Sequence, residues 1–386
     1  MPAIFHSYPR FVLFGLYLLF LLLVELVLRL GWGAELLPAT SNAVVANALV
    51  HHDYRPGVRF ATRPFPGDSF APVKNEINTF GIRGPQPQAT ERPRILLLGD
   101  SFVQADEVAY EFSFTHLLNL HFADRLDFIS HGMVSWSPTP EFSWLHHKGL
   151  SLSPDAVVLF LCLNDFYRQQ VFHQTDAAYR QQAIYQDRVP IAYTLPRPSQ
   201  AIVFIKNIAL ARLIHRGYRI LRLRLSPPDQ HSHTIPNEII HLSRPDSAWP
   251  NDLRANVDST LQVVLDIAAY LQQKQIAFHV SLVPSGFAWA DEIVLGKQHP
   301  LYGWPADFSV SQQGLQQHIR KTLTAHSIPF IDLHSRFDQK KTQQHILLFN
   351  EVDGHWKEAG HRLVFEALEN YFRRDLGVWA FPESEW

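Results

Sequence analysis

A serine, a histidine and an aspartate stand in this chain where acyl-transfer chemistry can be assembled. Ser101 closes the run Ile95-Leu96-Leu97-Leu98-Gly99-Asp100-Ser101, in which four aliphatic residues stop at a glycine and deliver a hydroxyl. A serine hydroxyl is a weak nucleophile at neutral pH and needs an adjacent base. His355 is the candidate base. In Asp353-Gly354-His355-Trp356 the aspartate is two residues away, and in extended chain residues two apart project to one side, so Asp353 can hold the imidazole and fix its tautomer. The plainer alternative is that Asp100 or Ser101 simply caps the following helix. With 21 histidines in the chain, only the company a histidine keeps gives it weight.

The elements that must position these residues alternate between strand and helix. Ile95–Leu98 reads as a strand covered on both faces, as in a parallel sheet flanked by helices. In open sheets of that kind ligands bind outside the carboxyl ends of the strands. Glu111–Phe122 has helical spacing, and a second strand, Leu126–Ser130, runs into His131-Gly132. A glycine there lets backbone approach a ligand, and its amide can face a developing negative charge. A third apolar strand, Ala156–Leu163, is ended by Asn164-Asp165. Three strands thus end in Ser101, Gly132 and Asn164. The alternation resumes with a helix at Leu253–Gln273, a strand at Ile276–Val283, a helix at Gln313–His326, a short strand at Ile328–Leu333 and a last helix from Lys357 to Phe372. This pattern is a doubly wound α/β domain.

Outside that domain, Phe11–Leu30 is apolar over the length needed to cross a bilayer, interrupted by Glu25 and Arg29 four residues apart on one helical face. Arg10 before it favours an amino end in the cytoplasm, and a cleaved signal peptide, with a shorter apolar core, is the competing reading. The organisation expected is an anchor at 1–33, a linker and lead-in at 34–93, and a domain at 94–386 with an insertion at about 166–251. Within the lead-in, glycines bracketing Ile82-Arg83 suggest a turn that fixes the arginine, against the plainer reading of a solvated side chain. The insertion carries an amphipathic helix near Ile202–Leu223 bearing Lys206, Arg212, Arg216, Arg219 and Arg222, a face that could meet anionic lipid or remain simply solvated.

With 34 basic and 36 acidic side chains, nothing points to nucleic acid held through phosphates. Cys162, the single cysteine, excludes an intramolecular disulfide and a cysteine-based zinc site. Asp332 and His334 repeat the Asp-x-His spacing and are the rival pair for the base. His361 with Asp353 is a minor metal alternative lacking a third ligand, and no cofactor is expected. Trp136, Trp289 and Trp304 could stack on sugar rings or pack internally.

Taken in order, Gly99-Asp100-Ser101-Phe102, Gly132, Asn164-Asp165 and Asp353-Gly354-His355-Trp356 resemble the four blocks of the SGNH (GDSL-like) hydrolase superfamily, and Asn78–Gly84 is similar to the lead-in of its membrane-anchored bacterial members. The resemblance covers roughly Asn78–Asp375 and leaves the insertion unmatched. It implies a three-layer α/β/α sandwich with a central parallel sheet, SGNH/flavodoxin-like, preceded by one transmembrane helix. It also implies that Ser101 attacks an ester carbonyl, His355 takes its proton and Asp353 orients His355. The Ser101 amide, the Gly132 amide and the Asn164 side chain would form the oxyanion hole, with Asp100, Asp165 and Trp356 as supports. Two features depart from the pattern. Cys162 stands where many members have glycine, and Asp353 is two residues before the histidine rather than three, as in alginate acetyltransferase-like relatives. The expected protein is a serine esterase in the bacterial inner membrane, facing the periplasm or exterior, that cleaves an O-acyl, above all O-acetyl, ester on a cell-envelope glycan or lipid. An O-acyltransferase acting on polysaccharide and an inactive glycan-binding module are the alternatives.

Overall fold

A computed structural model describes residues 9–36, 43–64, 69–166, 183–194, 208–211, 213–214, 217–218, 241–286, 313–343, 348–350 and 354–375. The chain divides into two units, Met1–Asn42 with Arg197–Ser232 and Ala43–Pro196 with His233–Trp386.

In the first unit, α1 (Pro9–Leu36) is one continuous helix. Its stretch Arg10–Gly31 is long and apolar enough to cross a membrane, with a mean hydropathy of 2.8 and no part of it buried within the protein. Glu25 and Arg29 pair at 2.7 Å, one turn apart. The same Glu25 carboxylate accepts hydrogen bonds from the backbone amides of Ala209 and Leu210 at 2.8 and 2.9 Å. Two adjacent helical amides without intrahelical partners are thereby satisfied by a side chain from another helix. Lys206, Arg212, Arg216, Arg219 and Arg222 lie outside the described residues.

The second unit is built on a parallel sheet of five strands. In chain order they are β5 (Arg94–Gly99), β6 (Asp127–Gly132), β7 (Ala156–Leu161), β10 (Ala277–Leu282) and β11 (Phe330–Ile331), arranged spatially as β11-β10-β7-β5-β6. Every residue of β5 and β7 is buried, as their unbroken aliphatic sequences require. Alternate residues feed opposite layers. Ile95, Leu97, Val158 and Phe160 share one core with Phe114 and Leu118 of α3 (Phe114–His121) and with Leu363, Val364, Leu368 and Phe372 of α6 (Glu358–Asp375). On the other face Leu96 reaches the region of Gly149, Trp144 and Leu145, beside α4 (Pro138–His147), which packs with α5 (Asn251–Gln272). The result is the expected three-layer α/β/α arrangement.

The boundaries differ in instructive places. β6 continues through His131 and Gly132, so the glycine is the last strand residue, in register with Gly99. The expected helix at Glu111 starts later, because Tyr110–Phe112 is a 3-10 turn and Ser113 then caps α3, its hydroxyl accepting the His116 amide.

The segment 34–93, expected as a linker and lead-in, is more extensively folded than its loose sequence pattern suggests. From Ala43 onward the segment is folded into the second unit as two hairpins, β1 (Val44–Asn47) with β2 (His51–Tyr54) and β3 (Arg59–Thr62) with β4 (Val73–Glu76). Val50, Tyr54, Ile77 and Ile82 are buried hydrophobics of this segment, and Asp53, Asn75 and Arg83 are buried polar ones. Its polar residues pair with side chains and carbonyls distant in sequence: Lys148 Nζ donates to Asp53 at 2.8 Å, and Trp136 Nε1 donates to the His52 carbonyl at 3.0 Å. Burial pushes the Asp53 carboxyl up, but His131 and Lys148 outweigh it and hold the group below its ordinary range. Part of the expected insertion is likewise integral. The hairpin of β8 (Ala183–Gln186) and β9 (Val189–Tyr193) joins the body through the Ser143 hydroxyl, which donates to the Pro190 carbonyl at 2.8 Å.

Candidate active site

Ser101 opens α2 (Ser101–Gln104), a single helical turn set on the carboxyl end of β5. Asp100 caps it, its carboxylate accepting the Phe102 amide at 3.0 Å. The capping alternative therefore holds for Asp100 and does not compete with a chemical role for the neighbouring serine. Ala105 then takes a left-handed conformation, φ +57°, and its amide bonds to the Ser101 carbonyl at 3.0 Å, which ends the turn. Gly132 lies beneath this turn. A Cβ at that position would collide with the Asp100 carbonyl oxygen and the Gln104 nitrogen, so only glycine lets β6 run so close to the serine-bearing turn.

His355 arrives from the far end of the chain on a tight loop. Phe349 and Trp356 form an antiparallel bridge, the Asn350 amide donates to the His355 carbonyl at 2.8 Å, and Gly354 adopts φ +76°, which favours glycine. Trp356 is buried and its Nε1 donates to the Pro284 carbonyl at 2.8 Å, fastening the loop to the end of β10. Phe102 packs against both rings, 4.6 Å from the His355 centroid and 4.9 Å from that of Trp356. Residues 254 apart in sequence are thus brought together, with His355 Nε2 and Ser101 Oγ at 2.7 Å. That is hydrogen-bonding distance between a hydroxyl and a ring nitrogen able to accept its proton.

Around the other ring nitrogen, Nδ1, the structure describes a carboxylate that sequence spacing did not single out, Glu107 Oε1 at 3.9 Å. Asp353, the expected orienting residue, lies outside the described residues.

Asn164 sits in a 3-10 turn, Leu163–Phe166, directly beyond β7. Asp165 closes that turn by accepting the Cys162 amide at 2.7 Å, and the Asp165 carbonyl accepts the Thr260 hydroxyl at 3.0 Å. The strand ends of β5, β6 and β7 therefore present Ser101, Gly132 and Asn164 on adjacent strands of one sheet edge. Below them is a buried acidic layer. Asp100, Asp165 and Glu141 are all held above their ordinary values, first by burial and then, for Asp165 and Glu141, by repulsion from neighbouring carboxyls, and Asp100 also faces Cys162 and Asn164. Burial first, and then the neighbouring Asp100 and Asp165, push the Cys162 thiol well above its usual range, which makes it an unreactive core residue.

The rival histidines are accounted for. His334 is buried and pushed down to about 4 by desolvation, while Asp332 is engaged by Arg320 at 2.8 Å and by the Ser335 hydroxyl at 2.6 Å. His361 stacks on Phe114 with centroids 5.8 Å apart, and burial depresses it to about 3, a neutral core ring. No group of three potential metal ligands occurs among the described residues. Trp136 is buried against the lead-in and has no face to offer a sugar, and Trp289 and Trp304 lie outside the described residues.

No protein-family model matches the chain, and no curated protein does so. Solved structures similar to it include an acetyl xylan esterase (15% identity, covering 72% of this chain and 98% of that one, TM-score 0.39). A GDSL-like lipase from Bacteroides thetaiotaomicron (12%, 75% and 92%, TM-score 0.38) and a lipase/acylhydrolase from Enterococcus faecalis (13%, 73% and 96%, TM-score 0.37) are similar to the same degree. At these identities and scores the site has to be read from its own geometry.

Proposed function

We propose that the second unit is a serine ester hydrolase of SGNH type. More particularly, we infer an esterase that removes an O-acyl group, above all O-acetyl, from a cell-envelope glycan or lipid while α1 tethers it to the bilayer. The observation that carries the reading is the 2.7 Å contact between Ser101 Oγ and His355 Nε2. His355 takes the hydroxyl proton as Oγ attacks the ester carbonyl. The tetrahedral oxyanion is received by the Ser101 and Gly132 amides and the Asn164 side chain, and collapse expels the alcohol with the proton returned by His355. Water activated by the same imidazole then releases the acid and frees Ser101. Asp353, the orienting residue of this reading, would hold the tautomer that leaves Nε2 free to accept a proton. Trp356 and Phe102 fix the plane of the ring.

The resemblance of Asp353-Gly354-His355-Trp356 to alginate acetyltransferase-like relatives implies the alternative of transfer to a sugar hydroxyl, and one assay separates the outcomes. Purified full-length protein is incubated with acetylated polysaccharide, with and without an unacetylated oligosaccharide acceptor. Free acetate formed in water and lost in Ser101→Ala supports the hydrolase. Acetate appearing only on the acceptor supports the transferase. No release or transfer by the wild-type chain counts against both.

A further inference from the structure

We propose that Glu107 is a positioning residue for His355, and that the lead-in segment holds it in place. The inference rests on the serine–histidine reading above and adds the origin of one charge beside the base. Glu107 follows Ala105, whose left-handed turn reverses the chain at the end of α2 and sends residues 106–108 back past the histidine loop. Glu107 Oε1 stands 3.9 Å from His355 Nδ1, on the side of the ring opposite Ser101, with 14% of its side chain exposed.

What fixes it there are its two neighbours. Asp106 accepts the Tyr54 hydroxyl at 2.7 Å and the Gln104 amide at 2.6 Å, and its backbone carbonyl accepts Asn75 Nδ2 at 3.0 Å. The Val108 carbonyl accepts Arg83 Nη2 at 2.5 Å, and Arg83 Nε donates to Asn75 at 2.6 Å and faces Asp106 at 3.9 Å. Tyr54, Asn75 and Arg83 all belong to the lead-in and all are buried. Residues 106 and 108 are therefore clamped on both sides of Glu107 by groups 25 to 52 positions away in sequence. These bonds hold residues 106 and 108 on either side, and that anchoring sets the distance between Glu107 and the imidazole.

A carboxylate at ion-pair distance favours the imidazolium that forms when Ser101 gives up its proton. The other ionisable groups that face His355 are Asp100 and Asp106, both raised by burial, the latter to about 6, and the neutral His361.

The test is the pH dependence of kcat/KM for ester hydrolysis by the full-length chain. Glu107→Gln, which keeps shape and removes charge, is expected to lower kcat/KM about 10-fold and to move the acid limb to lower pH, because the protonated imidazole loses a stabilising partner. Glu107→Asp is expected to restore the limb in part, and Arg83→Met to reproduce the shift through a displaced Glu107. If Glu107→Gln keeps the wild-type rate and limb while its thermal midpoint is unchanged, the proposal is wrong. Should Glu107→Gln fail to fold, the equally charge-free Glu107→Met decides: a rate and limb indistinguishable from wild type overturn the proposal, and a limb moved to lower pH supports it. A fluorophosphonate ester run in parallel distinguishes the two levels: wild-type protein left unlabelled at Ser101 removes the catalytic reading and this one with it, whereas labelled wild type with an unaltered Glu107→Gln removes only this one.

Discussion

The strand ends that bear Ser101, Gly132 and Asn164 and the lead-in that bears Tyr54, Asn75 and Arg83 reach the same site by different physical means. The first region is held by apolar burial: β5 and β7 are fully covered, and Ser101, Gly132 and Asn164 stand at or just past the ends of three adjacent strands. The second is held by hydrogen bonds and ion pairs among buried and half-buried polar groups, Tyr54 with Asp106, Asn75 with Arg83, and Asp53 with Lys148. Apolar burial is non-directional and tolerates small shifts, while a buried polar network is costly to break because each orphaned group keeps its desolvation penalty. In the proposed reading the sheet edge supplies the reactive groups, and the lead-in supplies their precision.

Substitutions should separate these contributions. His355→Ala, at the strand-end region, is expected to lower ester turnover by about 10⁴-fold or more with the fold retained, as measured by initial rates and circular dichroism. Asn164→Ala should cost about 10²–10³ in kcat with little change in thermal midpoint, the loss of one oxyanion donor. Full activity in this variant would take Asn164 out of the site.

Arg83→Met inverts the pattern. It removes the Arg83 hydrogen bonds to Asn75 Oδ1 and the Val108 carbonyl and the approach to Asp106, so denaturant titration should show a stability loss of about 3 kcal/mol, accompanied by only about a tenfold fall in kcat/KM. A lead-in that was merely attached to the surface would show neither.

The smallest effect expected comes from the buried acidic layer. Glu141 is raised well above its ordinary value of 4.5 by burial and by the nearby Asp165 and Asp100. An acid raised in the folded state contributes fully to stability below its unfolded pKa and loses that contribution as pH climbs toward the folded one. Glu141→Gln should therefore flatten the decline in melting temperature between pH 5 and pH 9, values chosen to lie on the order of the carboxylate range and well above it. An identical decline in both proteins would show that Glu141 is not the titrating group.

The two regions were also unequally legible. Ile95–Leu98 and Ala156–Leu161 announce buried strands by unbroken aliphatic runs, and a strand end fixes where Ser101 and Asn164 must emerge. His355 was found because its neighbours Asp353 and Trp356 gave it a chemical context. The lead-in offered no such pattern. Its short strands contain His, Asp, Lys and Asn, and their partners lie tens of residues away, so composition and periodicity read the segment as a linker and left the solvated reading of Arg83 open. Glu107 was missed for the same reason: nothing local distinguishes it from a surface glutamate until the reversal at Ala105 turns it toward the histidine loop. Trp136, weighed as a sugar platform, shows the converse, an aromatic whose burial is decided by a carbonyl 84 residues away.

The central claim is that Ser101, activated by His355, becomes covalently acylated. Intact-mass and peptide mapping of the full-length protein after reaction with a fluorophosphonate ester tests it most directly. One adduct on Ser101 in the wild type, absent from Ser101→Ala and slowed at least about 10³-fold in His355→Ala, is the expected result. An adduct elsewhere, or equal labelling of the His355→Ala protein, would contradict it.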